Sequence, residues 1–212
     1  MVMSGIFESV TGKLDYNFPE YDSLPSEPIT LGRKWLQEAI NENVREPRSM
    51  VLMTANSTGN MSSRVMAILE FINEGILFST HSCSRKIRDI RDNPFACGHF
   101  YWRELGRQMS VSGKVKKLPW EHSIEEWNKR PTPLHSMSTV SYQSEPLISY
   151  EQLLISAQHL EGSGVLPCPE RYSVYLLEPY AIEFWAASSN RLHKRLRFEY
   201  GQTDWNSLRL QP

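Results

Sequence analysis

Short strand-like segments follow one another along most of the chain, and this succession limits the fold more than any other feature. The segments are rich in apolar, β-branched and aromatic residues and are separated by turn signals such as Asn73-Glu74-Gly75. They cover residues 50–54, 63–71, 76–80, 95–102, 108–118, 172–185 and 191–200. Closing about six or seven antiparallel strands into a barrel removes their exposed edges. We therefore predict a mainly β fold (α+β), a small barrel with peripheral helices.

Helical spacing appears before and between these strands. Apolar residues on one face of 31–44 predict an amphipathic helix, with Thr30 as its N-cap. Segments 121–129 and 147–160 are also predicted helices, and Ser84 is expected to cap a short helix whose Ile87 and Ile90 face the core. Residues 130–138 contain Pro131 and Pro133 and are expected to be largely loop. Repeated prolines predict an extended N-terminal arm, 1–29, ahead of a single domain, 30–212.

Composition excludes several classes of protein. A chain of 212 residues, 40% hydrophobic and 22% charged, can bury one full core. Its net charge of -1 provides no general attraction for nucleic acid or a membrane. The 3 cysteines lie far apart without metal-ligand spacing, so neither disulfides nor a metal site are predicted. With no signal-like start and no apolar run of about 18 residues, we expect an unexported, cytoplasmic protein.

Basic residues near strand ends suggest an anion site. The sequence Ser84-Arg85-Lys86 follows a predicted strand and opens a predicted helix, where free N–H groups and the positive end of the dipole attract phosphate. An exposed basic turn remains the alternative. Arg64 lies within an apolar strand and needs a partner, which is either an acidic side chain or a phosphate bound by the guanidinium.

A second basic group lies near the end of the predicted strands. Alternation places Arg191, His193 and Arg195 on one strand face, where like charges repel unless they are solvated or bridged by an anion. Glu183 is expected to neutralise part of this charge. A solvated edge strand and a pocket in which Trp185 stacks a planar ring both remain open.

These groups, together with the amides of Gln108 and Gln143, resemble in order and spacing the pyridoxamine phosphate oxidase family of flavin mononucleotide (FMN) enzymes. The resemblance runs from about Trp35 to the C-terminus and implies a split β-barrel homodimer with FMN at the subunit interface. The positions that contact FMN in the family are occupied by Arg64, Val65, Met66, Ser79, Thr80, Arg85, Lys86, Gln108, Gln143, Ser144, Trp185 and Arg195. Those that contact the substrate are occupied by Leu69, Glu126, Arg130, Leu134, Arg191 and His193.

Three substrate positions depart from the family pattern. Leu69 replaces a lysine, Glu126 a tyrosine and Leu134 a serine, and all three normally help to hold the phosphate of the vitamin. Losing a cation and two hydroxyls while gaining a carboxylate leaves phosphate charge unpaired. Pyridoxamine phosphate is therefore an unfavourable substrate for this chain.

Other segments resemble one branch of the family, the flavin oxidases of phenazine biosynthesis clusters. They are 18–21, 78–81, 101–104, 137–138 and 209–212. That resemblance implies oxidation of reduced tricyclic carboxylates to phenazine-1-carboxylic and phenazine-1,6-dicarboxylic acid, with O2 as acceptor and hydrogen peroxide as product. Arg130, Arg191 and His193 are then expected to bind substrate carboxylates, and His193 is also the candidate for assisting proton transfer.

Two other functions remain open. One is a true pyridoxamine or pyridoxine phosphate oxidase, which the three substitutions disfavour. The other is a non-catalytic flavin- or haem-binding split-barrel protein that acts as a sensor or stress factor. Retention of both the cofactor positions and the segment Arg191-Leu192-His193 argues against the second.

Overall fold

The structure, a computed structural model, describes residues 13–212. The α-helices of this part of the chain are α1 (Pro28–Asn41), α2 (Arg85–Asp92), α3 (Trp120–Lys129), α4 (His135–Val140) and α5 (Tyr150–Leu160). Its strands are β1 (Ser49–Ala55), β2 (Met61–Ala67), β3 (Glu70–Ile72), β4 (Gly75–His81), β5 (Phe95–Trp102), β6 (Arg107–Lys117), β7 (Tyr172–Ala186), β8 (Lys194–Tyr200) and β9 (Trp205–Leu210). The prediction of a mainly β fold with peripheral helices is confirmed.

The described strands form one 9-stranded antiparallel sheet that curls into a half-barrel. Its order is β2-β1-β5-β6-β7-β4-β3, and β8 pairs with both β7 and β9. The two ends of strand β7 pair with different strands: residues 172–177 pair with β4, and residues 181–186 pair with β8. Between these parts the register with β6 shifts at Ser112/Gly113. A Cβ on Gly113 would lie only 2.2 Å from the carbonyl oxygen of Glu178, so this bulge requires glycine.

Helix α1 closes the core through Trp35, which is fully buried. Its ring centroid lies 5.0 Å from those of Phe18 and Phe184, and 6.4 Å from that of Trp102. These edge contacts join the segment before α1, the helix itself and two strands. The amphipathic pattern that predicted the helix therefore also identified the face that packs on the sheet.

A buried arginine lies at the same junction. The side chain of Arg107 is only 1% exposed and forms an ion pair with Glu38 of α1. Its guanidinium carbon lies 4.2 Å from the ring centroids of both Tyr16 and Trp35, and it donates to the carbonyl of Asn17 at 2.6 Å. Residues 13–27 are thus attached to the sheet through an interior cation.

Several local predictions were wrong. Helix α1 begins at Pro28, whose fixed φ suits a first helical position, so Thr30 lies inside the helix. The predicted strand 63–71 is divided into β2 and β3, because the chain leaves the β1 edge and the Leu69 N–H bonds to the Leu77 carbonyl.

Two elements were not predicted. Helix α4 forms within the expected loop 130–138, because Pro133 lies before it and not within it. Strand β9 forms by pairing with β8 in the C-terminal segment. Helix α5, by contrast, matches its prediction closely and is capped by Ser149, which accepts from the Gln152 N–H at 3.2 Å. No helix in the range 13–212 is both long and apolar enough to cross a membrane.

Candidate functional site

Arg64 lies on β2 and is held by oxygen atoms rather than by a direct ion pair. Its guanidinium donates to the Leu52 carbonyl at 3.1 Å, to Thr54 Oγ1 at 2.9 Å and to Ser62 Oγ at 2.6 Å. Asp89 of α2 accepts from the same two hydroxyls at 2.8 Å. The acidic side chain, one of the two partners considered for Arg64, therefore contacts it only indirectly, through these hydroxyls. The guanidinium keeps further N–H donors for an anion.

Lys86 forms the second cation of this region. Its Nζ lies 3.0 Å from Thr80 Oγ1 and 3.2 Å from Gln143 Oε1, and Thr80 also donates to Gln143 Oε1 at 2.8 Å. Burial, and then the charge of Arg64, lowers the pKa of Lys86 to about 8. A nearby anion would reverse this effect, because it favours the charged ammonium.

One cavity of about 330 Å³, here called the Arg64 cavity, brings most of these residues together. Its lining consists of Arg64, Val65, Met66, Ser79, Thr80, Lys86, Gln143 and Ser144. Every one of these was predicted from the sequence to contact FMN, although the residues come from two strands, a helix and a loop. Their common location is the main structural support for that set.

The N-terminus of α2 forms one side of this region. Ser84 has an extended backbone at the N-cap position, but its buried Oγ bonds to no atom of residues 13–212, so the predicted capping bond is absent there. The Arg85 N–H donates to Ser144 Oγ at 3.1 Å. Two cations, a helix N-terminus and an unpartnered hydroxyl fit a phosphate group.

A second cavity, of about 230 Å³ and here called the Trp185 cavity, contains three of the other predicted cofactor residues, whereas Arg85 is in the lining of neither cavity. It is lined by Gln108, Ser110, Glu183, Trp185, Arg195 and Pro212. Sheet register aligns the three main members, because Gln108 lies opposite Trp185 and Trp185 lies opposite Arg195. Glu183 accepts from Arg195 at 2.7 and 2.9 Å and pairs with Arg197 at 3.5 Å, so the expected neutralisation is confirmed.

The segment before β8 differs from its prediction. Strand β8 begins at Lys194, so Arg191 and His193 lie in the preceding turn and do not share a strand face with Arg195. Arg191 has a φ of 63° and an exposed side chain. The ring of His193 lies 4.7 Å from that of Trp185, and its Nδ1 accepts from the Ser188 N–H at 3.1 Å. Neutral His193 therefore carries its proton on Nε2.

The remaining predicted substrate residues lie on other elements. Leu69 packs against a small apolar cluster around Leu77. Glu126 accepts from Lys129 at 2.6 Å, and Leu134 is 47% exposed. Arg130 donates to Ser138 Oγ at 3.3 Å, whereas its buried Nε has no partner within the described part of the chain.

Two further histidines, His81 and His135, are both buried. Burial, together with the charges of Arg171, Lys86 and Arg130, lowers the pKa of His81 to about 4, so this ring is neutral. Its Nδ1 lies 3.5 Å from the backbone nitrogen of Gln143, a residue that lines the Arg64 cavity. His135 is structural, since its Nδ1 accepts from the Leu166 N–H at 3.2 Å and Nε2 lies 3.1 Å from two carbonyl oxygens.

The two cavities have no lining residue in common. Thr80 pairs with Ser173 at the start of β7, whereas Gln108 pairs with Trp185 near its end. At about 3.3 Å per residue, the intervening strand measures roughly 40 Å along its path. One copy of the chain thus divides the predicted cofactor residues between two separate cavities.

Sequence reasoning missed the supports of both cavities. Thr54, Ser62 and Asp89 orient Arg64. The one signal of this in the sequence is the acidic Asp89 on the apolar face of α2, next to Ile90. Ser110 and Pro212 line the Trp185 cavity. The C-terminal residues give no local signal of this role, because it depends on β9 pairing with β8.

Comparison with known families agrees with this geometry. Residues 36–163 match the model described as pyridoxamine 5'-phosphate oxidase. Residues 172–212 match the pyridoxine 5'-phosphate oxidase C-terminal dimerisation region. The chain belongs to the pyridoxamine 5'-phosphate oxidase family, a family of oxidoreductases.

Individual relatives locate the chain within that family. A dihydrophenazinedicarboxylate synthase of Burkholderia lata is 47% identical over 97% of this chain and 98% of its own length. The crystal structure of PhzG from Burkholderia lata 383, in complex with tetrahydrophenazine-1-carboxylic acid, is 46% identical, with a TM-score of 0.93 over 95% of this chain and 100% of that one. Pyridoxine/pyridoxamine 5'-phosphate oxidase 2 of Hydrogenovibrio crunogenus is 34% identical over 87% of this chain and 88% of its own length.

Proposed function

We propose that the protein is an FMN-dependent oxidase that converts reduced phenazine carboxylates to phenazine-1-carboxylic and phenazine-1,6-dicarboxylic acid. The observation that carries this proposal is the full-length similarity to a protein whose crystal structure contains tetrahydrophenazine-1-carboxylic acid. The higher identity to the phenazine enzyme than to the vitamin oxidase, 47% against 34%, supports the same choice.

The cofactor residues divide according to chemistry. Arg64, Lys86 and the N-terminus of α2 would hold the FMN phosphate. Gln108 would hydrogen-bond the polar edge of the flavin ring, and Trp185 and Arg195 would lie beside it. Because these two sets lie at opposite ends of β7, we infer a homodimer in which each FMN contacts the Arg64 cavity of one copy and the Trp185 cavity of the other.

When bound, FMN would supply the redox chemistry: it would take a hydride from the substrate and pass the two electrons to O2, giving hydrogen peroxide. The task of the chain is to hold the tricycle against the flavin, so positioning matters more than a dedicated base. His193 fits a role in carboxylate binding, because its Nε2 carries the proton and its Nδ1 is already occupied by the Ser188 N–H. The tautomer favours donation by His193 over proton removal.

The three positions that depart from the family pattern, Leu69, Glu126 and Leu134, differ in how they would affect substrate choice. Leu69 belongs to an apolar cluster, and the negative charge of Glu126 is paired with Lys129. Leu134, by contrast, is 47% exposed and offers an apolar surface where the family has a hydroxyl. Arg130, whose buried Nε has no partner among the described residues, would bind an anionic group. These features suit a carboxylated apolar ring better than a phosphate.

Anaerobic mixing of the FMN-loaded protein with a reduced phenazine dicarboxylate precursor tests the proposal directly. We expect the flavin absorbance near 450 nm to bleach with the tricycle, whereas pyridoxamine phosphate at equal concentration leaves it unchanged. Reoxidation by air should then release hydrogen peroxide.

The opposite pattern would support the rival supplied by the 34% identical relative. Bleaching by pyridoxamine phosphate alone would mean that the protein is a vitamin oxidase and that Leu69, Glu126 and Leu134 do not control substrate choice. No bleaching by either compound would favour a flavin-binding protein without this activity.

A further inference from the structure

Residues 141–145 carry two side chains of the Arg64 cavity but lie outside the described helices and strands. Gln143 and Ser144 are both exposed residues. Ser144 has a φ of 72°, which side chains other than glycine, asparagine and aspartate adopt infrequently. A short exposed segment keeps such a conformation only when contacts from other elements hold it.

Arg171, immediately before β7, makes several of these contacts, in addition to the ion pair between Arg88 and Glu145. Its Nε donates to the carbonyl of Ser141 at 3.0 Å, and its Nη2 donates to the carbonyls of Ser138 and Thr139. Its guanidinium carbon lies 4.0 Å from the ring centroid of Tyr142. These carbonyls lie at the C-terminal end of α4, where backbone oxygens lack helical partners and a positive charge is favourable.

The same arginine also connects this segment to the turn that joins β4 to α2. The Arg171 carbonyl accepts from the Ser82 N–H at 2.7 Å, in the turn between β4 and α2. With both sides held, Gln143 Oε1 lies 2.8 Å from Thr80 Oγ1, and Ser144 Oγ accepts from α2.

We propose that Arg171 is a positioning residue that holds segment 141–145 in the conformation in which Gln143 and Ser144 complete the Arg64 cavity. It does not line the cavity itself and acts through Tyr142 and the α4 carbonyls. The link to cofactor binding rests on the proposed function, whereas the hold on the segment does not.

The test compares wild type, Arg171→Met and a matched control, Arg33→Met. Arg33 also donates to a backbone carbonyl, that of Phe71 at 3.3 Å, but it lines neither cavity. Amide hydrogen exchange of the FMN-free proteins should be about tenfold or more faster in residues 141–145 of Arg171→Met, with β6 unchanged. Arg33→Met should show no change in residues 141–145.

FMN affinity, measured by quenching of flavin fluorescence, supplies the second readout. We expect Arg171→Met to bind FMN about 10- to 100-fold more weakly, because several charge-assisted hydrogen bonds that order the site are lost. Arg171→Lys keeps the positive charge but has one nitrogen donor instead of three. Its amide exchange rate in 141–145 and its FMN affinity should be intermediate. This variant replaces Arg171→Met if Arg171→Met does not fold.

Unchanged amide exchange in residues 141–145 would overturn the proposal. Faster exchange spread equally over β6 would also overturn it, because that result indicates a general loss of stability. A mobile segment with unchanged FMN affinity would show that Arg171 does not serve the site. If wild type itself fails to bind FMN, the proposed cofactor is wrong, and the exchange data still decide whether Arg171 holds the segment.

Discussion

Lys86 is a single residue whose charge is expected to control cofactor affinity near neutral pH. Its pKa of about 8 reflects burial and the nearby Arg64. A bound phosphate dianion stabilises the ammonium, so binding above pH 8 requires proton uptake. We expect FMN affinity to be highest below pH 8 and to fall up to about tenfold per pH unit above it. Flavin fluorescence titrations between pH 6.5 and 9.5 measure this dependence.

Lys86→Arg provides the control for this prediction. The guanidinium stays charged throughout this pH range, so the affinity of Lys86→Arg should be nearly independent of pH. Lys86→Met should bind FMN weakly at every pH. If Lys86→Arg keeps the wild-type slope, another group titrates and Lys86 is not responsible.

At the scale of elements, Arg107 joins β6, α1 and the segment before α1. Arg107→Met removes the buried partner of the Glu38 carboxylate, which then keeps only Lys34 at 3.9 Å, and it removes the group between the Tyr16 and Trp35 rings. Since breaking a buried pair from one side is costly, we expect the free energy of unfolding to fall by about 3 kcal/mol. Urea denaturation of FMN-free protein at one fixed protein concentration measures the change.

A double mutant separates the pair from the packing around it. Arg107→Met combined with Glu38→Met should cost less than the sum of the two single changes, because neither charge is then left unpaired. Arg33→Met, an exposed arginine, should change stability by less than about 1 kcal/mol. Strict additivity for the 107/38 pair would contradict the importance of the ion pair.

For the whole molecule, the separation of the two cavities predicts complementation between damaged copies. Lys86→Met alters the Arg64 cavity and Trp185→Ala alters the Trp185 cavity, so each homodimer should bind FMN poorly. In a mixed dimer, one of the two sites receives both intact cavities. With random pairing, coexpression should restore about a quarter of the wild-type FMN binding capacity.

Pairing two variants of the same cavity is the matched control. Coexpressed Lys86→Met and Arg64→Met should restore nothing, because each mixed site still lacks one cation of the Arg64 cavity. If Lys86→Met and Trp185→Ala also fail to complement while still forming mixed dimers, the cofactor site lies within one copy and the proposed interface site is wrong.

Local patterns were sufficient for much of the fold. Strands β1, β4, β5, β6 and β7 follow from runs of apolar and β-branched residues, and α1 from a stripe that places Trp35 in the core. Strand β9 and the division of β2 from β3 could not be predicted, because strand pairing with distant partners defines them. Arg191 was misplaced for a related reason, since a turn with positive φ begins where the strand pattern still continues.

The sequence by itself determined the succession of strands and the chemical groups available to bind a phosphate and a planar ring, since both depend on side-chain type and short-range spacing. Only the tertiary structure decided how those groups are divided. The register of β6, β7 and β8 places Gln108, Trp185 and Arg195 side by side. Contacts between residues distant in sequence, such as Lys86 with Gln143, form the other cavity. Such contacts arise only when separate elements pack together, so local sequence cannot encode them alone.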